Sequence, residues 1–222
     1  MRLQLVIANK NYSSWSMRPW IALRQSGIAF EEVQLKFADD AKVRGIDAYA
    51  SPNGQVPLLL IDGAPVWDSL AICETLAELH PQKGLWPADL RARQLARAAC
   101  AEMHGGFRNL RGAMPMNIRA SHPGKGMSAE VQRDIDRICA LWQTCRVQSE
   151  SAGDMLFGAF GAVDAYFAPV VMRFMTYAVA LPEEAMRYCD AVRKLAAVRQ
   201  WMDGARAETE FVSADEPYVR LA

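Results

Sequence analysis

Ser13, Ser14 and Ser16 flank Trp15 in the stretch KNYSSWSMRPWIALRQSG, residues 10–27, just ahead of an apolar helical pattern. One of these hydroxyls is expected to serve structure. Ser16 would cap a helix starting at Met17 by accepting the orphan amide hydrogens of its first turn. Ser13 and Ser14 then lie at the exit of the first strand, the end that faces the ligand crevice in an open α/β sheet. A serine nucleophile needs an adjacent base, and the sequence offers neither a nearby histidine nor a G-x-S-x-G elbow. A hydroxyl beside a helix N-terminus can instead donate to an anion, and would stabilise a bound thiolate.

Two more stretches suit the same kind of ligand. In NGQVPLLLIDG, Pro57 opens an apolar strand, and a residue without an N–H belongs at a strand start or edge. A cis Val56-Pro57 bond would expose the main chain of Val56 to a peptide ligand, although a trans bond has the higher base rate, since only about 5% of X-Pro bonds are cis. In VWDSLAI, Asp68 and Ser69 stand at a helix start, where both residue types cap. That geometry also fits a ligand carboxylate held by the Ser69 hydroxyl and free amides, while Asp68 faces an ammonium group. A γ-glutamyl group carries both charges.

The elements that must position these residues change character along the chain. LQLVI (3–7) reads as a strand, and the helix after it carries Pro19 in its tolerated first turn and stops at Gly27. FEEVQLK (30–36) reads as a second strand. A polar stretch with modest helical character then runs to ASPNGQ, and VPLLLIDGAPVW reads as two strands joined at Asp62-Gly63. SLAICETLAELH (69–80) closes the unit as a helix. The expected order is strand, helix, strand, helix, strand, strand, helix over residues 1–81. After Pro81 and a linker at 82–89 with a further proline and a glycine, residues 90–222 carry apolar residues at three- and four-residue spacing, which predicts an all-helical second domain.

Composition narrows the function classes. The 222 residues include 25 basic and 25 acidic side chains, so nothing favours a polyanion or an anionic membrane as partner. No apolar run approaches the roughly 20 residues of a membrane span, and the start MRLQLVIANK lacks a secretory h-region and cleavage site. These features read as a soluble intracellular protein. Cys73, Cys100, Cys139, Cys145 and Cys189 are odd in number and contain no C-x-x-C pair, so they read as reduced core residues. His80, His104 and His122 show no metal-ligand spacing, and the loop ASHPGKG (120–126) lacks the spacing of a phosphate cradle.

Taken together, SSWSMRPW, QVPLL and DSLAI in this order and spacing make the chain resemble a cytosolic glutathione transferase of the serine type found in the zeta, tau and phi classes. The resemblance covers essentially all 222 residues. It implies a thioredoxin-like first domain with a cis-proline at Pro57 and an all-helical second domain. It also implies that Ser13 activates the glutathione thiol, with Ser14 as the close second choice. Val56 would pair main chain to main chain with the cysteinyl part, Gln55 would contact the tripeptide, and Asp68 and Ser69 would hold the γ-glutamyl end. Lys42 and Arg44 are weaker candidates for the glycine carboxylate. Glutathione is thus the implied cosubstrate, a small hydrophobic electrophile the second substrate, no metal is implied, and a homodimer is the implied assembly. Two features depart from the family pattern. Gly161 replaces the serine or threonine of the usual capping box in GAVD, leaving Asp164 to reach back. Trp15 stands where zeta-class maleylacetoacetate isomerases resemble one another in having cysteine, which counts against isomerisation as the activity. A non-catalytic binding role is the third reading, because a fold does not guarantee an activity.

Overall fold

In the computed structural model, which describes residues 1–149 and 152–219, the apolar run Leu3–Ile7 forms β1 at the centre of a four-stranded sheet. β1 runs parallel to β2 (Glu31–Gln34), with Val6 opposite Val33, and antiparallel to β5 (Leu58–Ile61), with Val6 opposite Leu58. β6 (Ala64–Val66) adds the edge. Asp62 and Gly63 both have positive φ (49° and 91°), as a two-residue turn matched to strand twist requires. Burial on both faces explains why Leu5, Val6 and Ile7 are apolar in succession and do not alternate with polar residues. α1 (Ser14–Gln25) and α2 (Ser69–Leu79) cover one face, and Ile46 packs with Val6 and Leu58 on the other.

Two local expectations are corrected. α1 begins at Ser14, and its cap is Ser13, not Ser16. The main chain decides this: the Ser13 carbonyl already accepts the first helical bond from Met17 N (3.1 Å), while Ser13 N is drawn into a turn on Asn9 O (2.8 Å). Pro19 therefore sits in the helix interior, where it removes one ladder bond, instead of in the first turn. The stop at Gly27 is as expected: its φ is +64°, and Ile28 N and Gly27 N bond back to Leu23 O and Arg24 O at 3.0 and 3.2 Å. The second correction concerns the polar stretch expected to form a helix before β5. It forms a short hairpin, β3 (Lys36–Phe37) with β4 (Val43–Arg44), and then a single 3-10 turn at Ile46–Tyr49.

From Leu90 onward the described residues are helical or loop, apart from two isolated β-bridges, Met155 with Gly158 and Phe157 with Ala159. α3 (Leu90–Gly105) and α5 (Ala129–Gln148) are capped by Asp89 and Ser128, whose side chains accept from Ala92 N (2.8 Å) and Val131 N (3.2 Å). α4 (Arg108–Ala113) lies between them, and α7 (Glu183–Lys194) and α8 (Ala196–Ala207) complete the bundle, broken at Leu195. α6 (Ala162–Thr176) is the core of the second half: every residue of it except Met175 is buried, and it packs against α1. The thioredoxin-like sheet domain and the helical domain thus share one hydrophobic core.

The start of α6 explains the glycine in GAVD. A Cβ on Gly161 would stand 3.0 Å from the Leu85 carbonyl oxygen, which accepts from Ala162 N at 2.8 Å. Asp164 supplies the cap alone, with one carboxylate oxygen accepting from Gly161 N (2.9 Å) and the other from Leu156 N (3.0 Å) and the Tyr188 hydroxyl (3.1 Å). All five cysteines are free thiols, and burial pushes those of Cys73, Cys145 and Cys189 up to about 12 and Cys139 up to about 11. None is suited to act as a nucleophile at neutral pH. Among the described residues, no helix is long and apolar enough to cross a membrane.

Candidate active site

A cleft of about 900 Å³ opens between the sheet domain and the helical domain. Ser13, Ser14, Gln55, Val56, Pro57 and Asp68 all line it, so residues from three separate loops of the sheet domain converge on one space. The Val56-Pro57 peptide is cis. Lys42 also lines the cleft with its amine 2.8 Å from Asp40, whereas Arg44 is not part of the lining.

Ser69 is the exception. Its residue exposure is 0%, its hydroxyl lies 2.9 Å from the Tyr166 hydroxyl, and it accepts from Arg18 Nη1 at 3.5 Å. As the first residue of α2 it turns its side chain inward toward α6, so the expected hydroxyl contact to a ligand carboxylate does not form in this arrangement. Asp68 does face the cleft. One carboxylate oxygen caps Leu70 N (3.2 Å), and the other lies 3.2 Å from His104 Nε2.

The serine cluster divides its hydrogen bonds unequally. Ser13 Oγ accepts from Ser16 N (3.4 Å) and donates to Ser16 Oγ (2.7 Å), which also accepts from Ala8 N (3.3 Å). Ser14 Oγ accepts from Arg173 Nη2 (3.3 Å). The rest of the Arg173 guanidinium donates to Met114 O (2.9 Å) and Pro169 O (3.3 Å), so all its acceptors are neutral. Burial, aided by nearby Arg18 and Arg111, pushes its pKa down to about 9. Arg18 is buried with its guanidinium between the rings of Trp15 and Tyr166, 4.4 and 4.5 Å from their centroids. Arg108 and Arg111 face the cleft from α4, and Arg111 lies over Trp15 and donates to His104 O and Gly106 O.

Sequence reasoning did not single out the cleft residues Arg108, Arg111, Arg173, His104 and Asp215. Arg173 had a signal, a cation inside the otherwise apolar run FAPVVMRFMT. The others had none, because they approach the cleft only through tertiary packing. Asp215 comes from the segment after α8, and burial pushes its carboxyl up to about 6 against the opposing pull of Arg173. That segment is tied down by Glu208, whose carboxylate accepts from Lys10 N (2.7 Å) and Asn11 N (3.0 Å) in the loop that carries Tyr12 to Trp15. Glu208→Ala is expected to leave two main-chain donors unpaired and to cost about 2 kcal/mol. A thermal melt checks this. An unchanged midpoint would show that the tail does not brace the loop.

Residues 12–79 match a family model described as "Glutathione S-transferase, N-terminal domain". That match covers most of the first domain. The loop with Ser13 and Ser14, the segment through Pro57 and the start of α2 all fall within the matched glutathione S-transferase stretch. Over the whole chain the fold is that of a glutathione transferase. A solved glutathione transferase homologue from Burkholderia, with bound glutathione, superposes with a TM-score of 0.69, covering 94% of this chain and 100% of that one at 21% identity. Among curated proteins, the maleylacetoacetate isomerase of Rhizobium meliloti is 41% identical over 86 residues, which cover 39% of this chain and 40% of the relative. Protein LigF of a Sphingobium strain is 38% identical over 79 residues, 33% of this chain and 30% of the relative. The chain thus spans less than half the length of these curated relatives.

Proposed function

We propose that the chain binds glutathione along the loops of the first domain and directs its thiolate at an electrophile held against the helical domain. One observation supports this above the others: Ser13, Ser14, Val56 and Asp68, far apart in sequence, line a single cleft at the N-termini of α1 and α2. Val56 would offer its main chain to the cysteinyl part, Gln55 would contact the tripeptide, and Asp68 would face the ammonium group. With the Ser69 hydroxyl turned inward, the part left to Ser69 is its main-chain N–H at the start of α2, where a carboxylate is favoured. A free thiol with a pKa of about 8.5 is only a few per cent ionised at neutral pH, so hydroxyl donors and the helix N-terminus must favour the anion. The motif offers Ser13 and Ser14 for the donor role.

The electrophile end is more basic than a purely hydrophobic pocket would be. Arg108, Arg111 and Arg173 supply three cations there. This, with the isomerase relatives, favours a second reading in which an unsaturated carboxylate is isomerised by reversible thiolate addition. Trp15, in the place of a cysteine, stands against it. Glutathione conjugation to an aryl halide, measured beside retention on immobilised glutathione, tests the transferase reading. Turnover is the expected result, retention without turnover indicates a binding protein, and maleylacetone turnover would favour the isomerase. The reading also implies a cytosolic homodimer. Light scattering at micromolar concentration should give twice the chain mass, and a monomer would count against it.

A further inference from the structure

The hydrogen bonds around the serines do not treat Ser13 and Ser14 alike, and the difference bears on how the thiolate is made. Building on the glutathione reading above, we infer that Ser14, polarised by the buried Arg173 guanidinium, is the hydroxyl that donates to the thiolate, while Ser13 serves as the cap of α1. Ser13 has one proton, and it goes to Ser16 Oγ at 2.7 Å, while the Ser13 oxygen accepts the helix amide of Ser16. Both of its functions are used within the first turn of α1. Ser14 Oγ accepts from a cation at 3.3 Å, which occupies a lone pair and leaves its O–H free to donate in the cleft that both residues line. A hydroxyl that accepts from a cation is a better donor, because the charge draws electron density away from its proton.

The setting of Arg173 strengthens the case. The guanidinium is buried in α6 among neutral acceptors, and no carboxylate hydrogen-bonds it among the described residues. A cation so placed has an unmet preference for an anion, and Ser14 Oγ is bonded to it at the wall of the cleft that both line. The charged and titratable groups facing this guanidinium are Arg18 on α1, Arg111 on α4, Tyr177 at the end of α6 and Asp215 on the tail. The first two add positive potential, and Asp215 is the one carboxylate among them. Lys42, Asp68, His104 and Arg108 face the same cleft from the other elements. Arg173 acts through Ser14 and is therefore a positioning residue.

The ultraviolet absorbance of bound glutathione thiolate, titrated against pH, reads the effect directly. Ser14→Ala is expected to raise the bound-thiol pKa by about one unit, leaving about tenfold less thiolate at neutral pH. Arg173→Met should raise it by a similar amount, and Arg173→Lys, which keeps the charge, should recover part of the shift. Adding Ser14→Ala to Arg173→Met should raise it no further, because the two act in series. Ser13→Ala should leave the titration in place and lower the melting temperature, as loss of a cap does. A shifted titration in Ser13→Ala with an unshifted one in Ser14→Ala would overturn the inference and leave the glutathione reading intact. A wild-type protein that shows no bound thiolate would remove both.

Discussion

Asp164→Ala is expected to lower the melting temperature by roughly 10 °C at neutral pH. The carboxylate is fully buried and accepts from two main-chain amides, those of Gly161 and Leu156, besides taking the Tyr188 hydroxyl. Removing it leaves three buried donors unpaired, at about 1–3 kcal/mol each, of which local relaxation recovers a part. Gly161 has no side chain to take over the cap, and a side chain there would press on the Leu85 carbonyl. The pH dependence has a definite sign. Burial pushes the Asp164 carboxyl up to about 6 from an ordinary 3.8. Between these values the folded protein keeps a proton that the unfolded chain has released, so the stability that Asp164 contributes is greatest below pH 4 and declines as pH rises to about 6. Melting curves of the wild type and Asp164→Ala between pH 4 and 8 check both claims. A gap that widens with rising pH would overturn the second.

The capping box is a case in which the sequence carried the answer, because its partners lie three residues apart and the bond is local. The same holds for the apolar run of β1, the Asp62-Gly63 turn and α2, each set by patterns within about a dozen residues. The start of α1 was harder to read. Three serines within four positions can each cap, and the choice falls to a turn in which Asn9 O accepts from both Tyr12 N and Ser13 N. The hairpin of β3 and β4 was hidden for a similar reason. Its strands are two residues long, too short for a period of two to be told from a turn of helix. Leu195, which separates α7 from α8, is neither glycine nor proline, and only its extended backbone marks the break.

The site divides in the same way. Ser13, Ser14, Val56, Pro57 and Asp68 could be found because strand exits and helix starts are local features that face a crevice. Ser69 was placed correctly at a helix start, but the direction of its side chain depends on Tyr166, 97 residues away. The arginines of the cleft come from α4 and α6, and a charge in a helical pattern reads first as a solvated face. Arg173 violates that reading by being buried, and its one hint in the sequence is the apolar run around it.

The double variant Arg108→Gln with Arg111→Gln is expected to cut kcat/KM about a hundredfold for an electrophile that carries a carboxylate, and less than threefold for a neutral aryl halide with the same leaving group. The argument starts from where the two side chains sit. Both line the cleft from α4, on the side of the helical domain. Arg108 makes no ion pair among the described residues, and Arg111 donates only to the carbonyls of His104 and Gly106 and lies over Trp15. Burial depresses the Arg111 pKa, so this cation has lost part of its hydration and gains most from a bound anion. A hydrogen bond to a charged group contributes about 1.5–3 kcal/mol, so losing both cations can supply the roughly 2.7 kcal/mol that a hundredfold change needs. Because Arg108 is exposed, its share should fade as salt rises, and that of Arg111 should persist. Kinetics with the charged and neutral electrophiles at two ionic strengths make the comparison. Equal losses for the two electrophiles would mean that the arginines shape the cleft and do not read charge, and the basic character of the electrophile end would then carry no substrate preference.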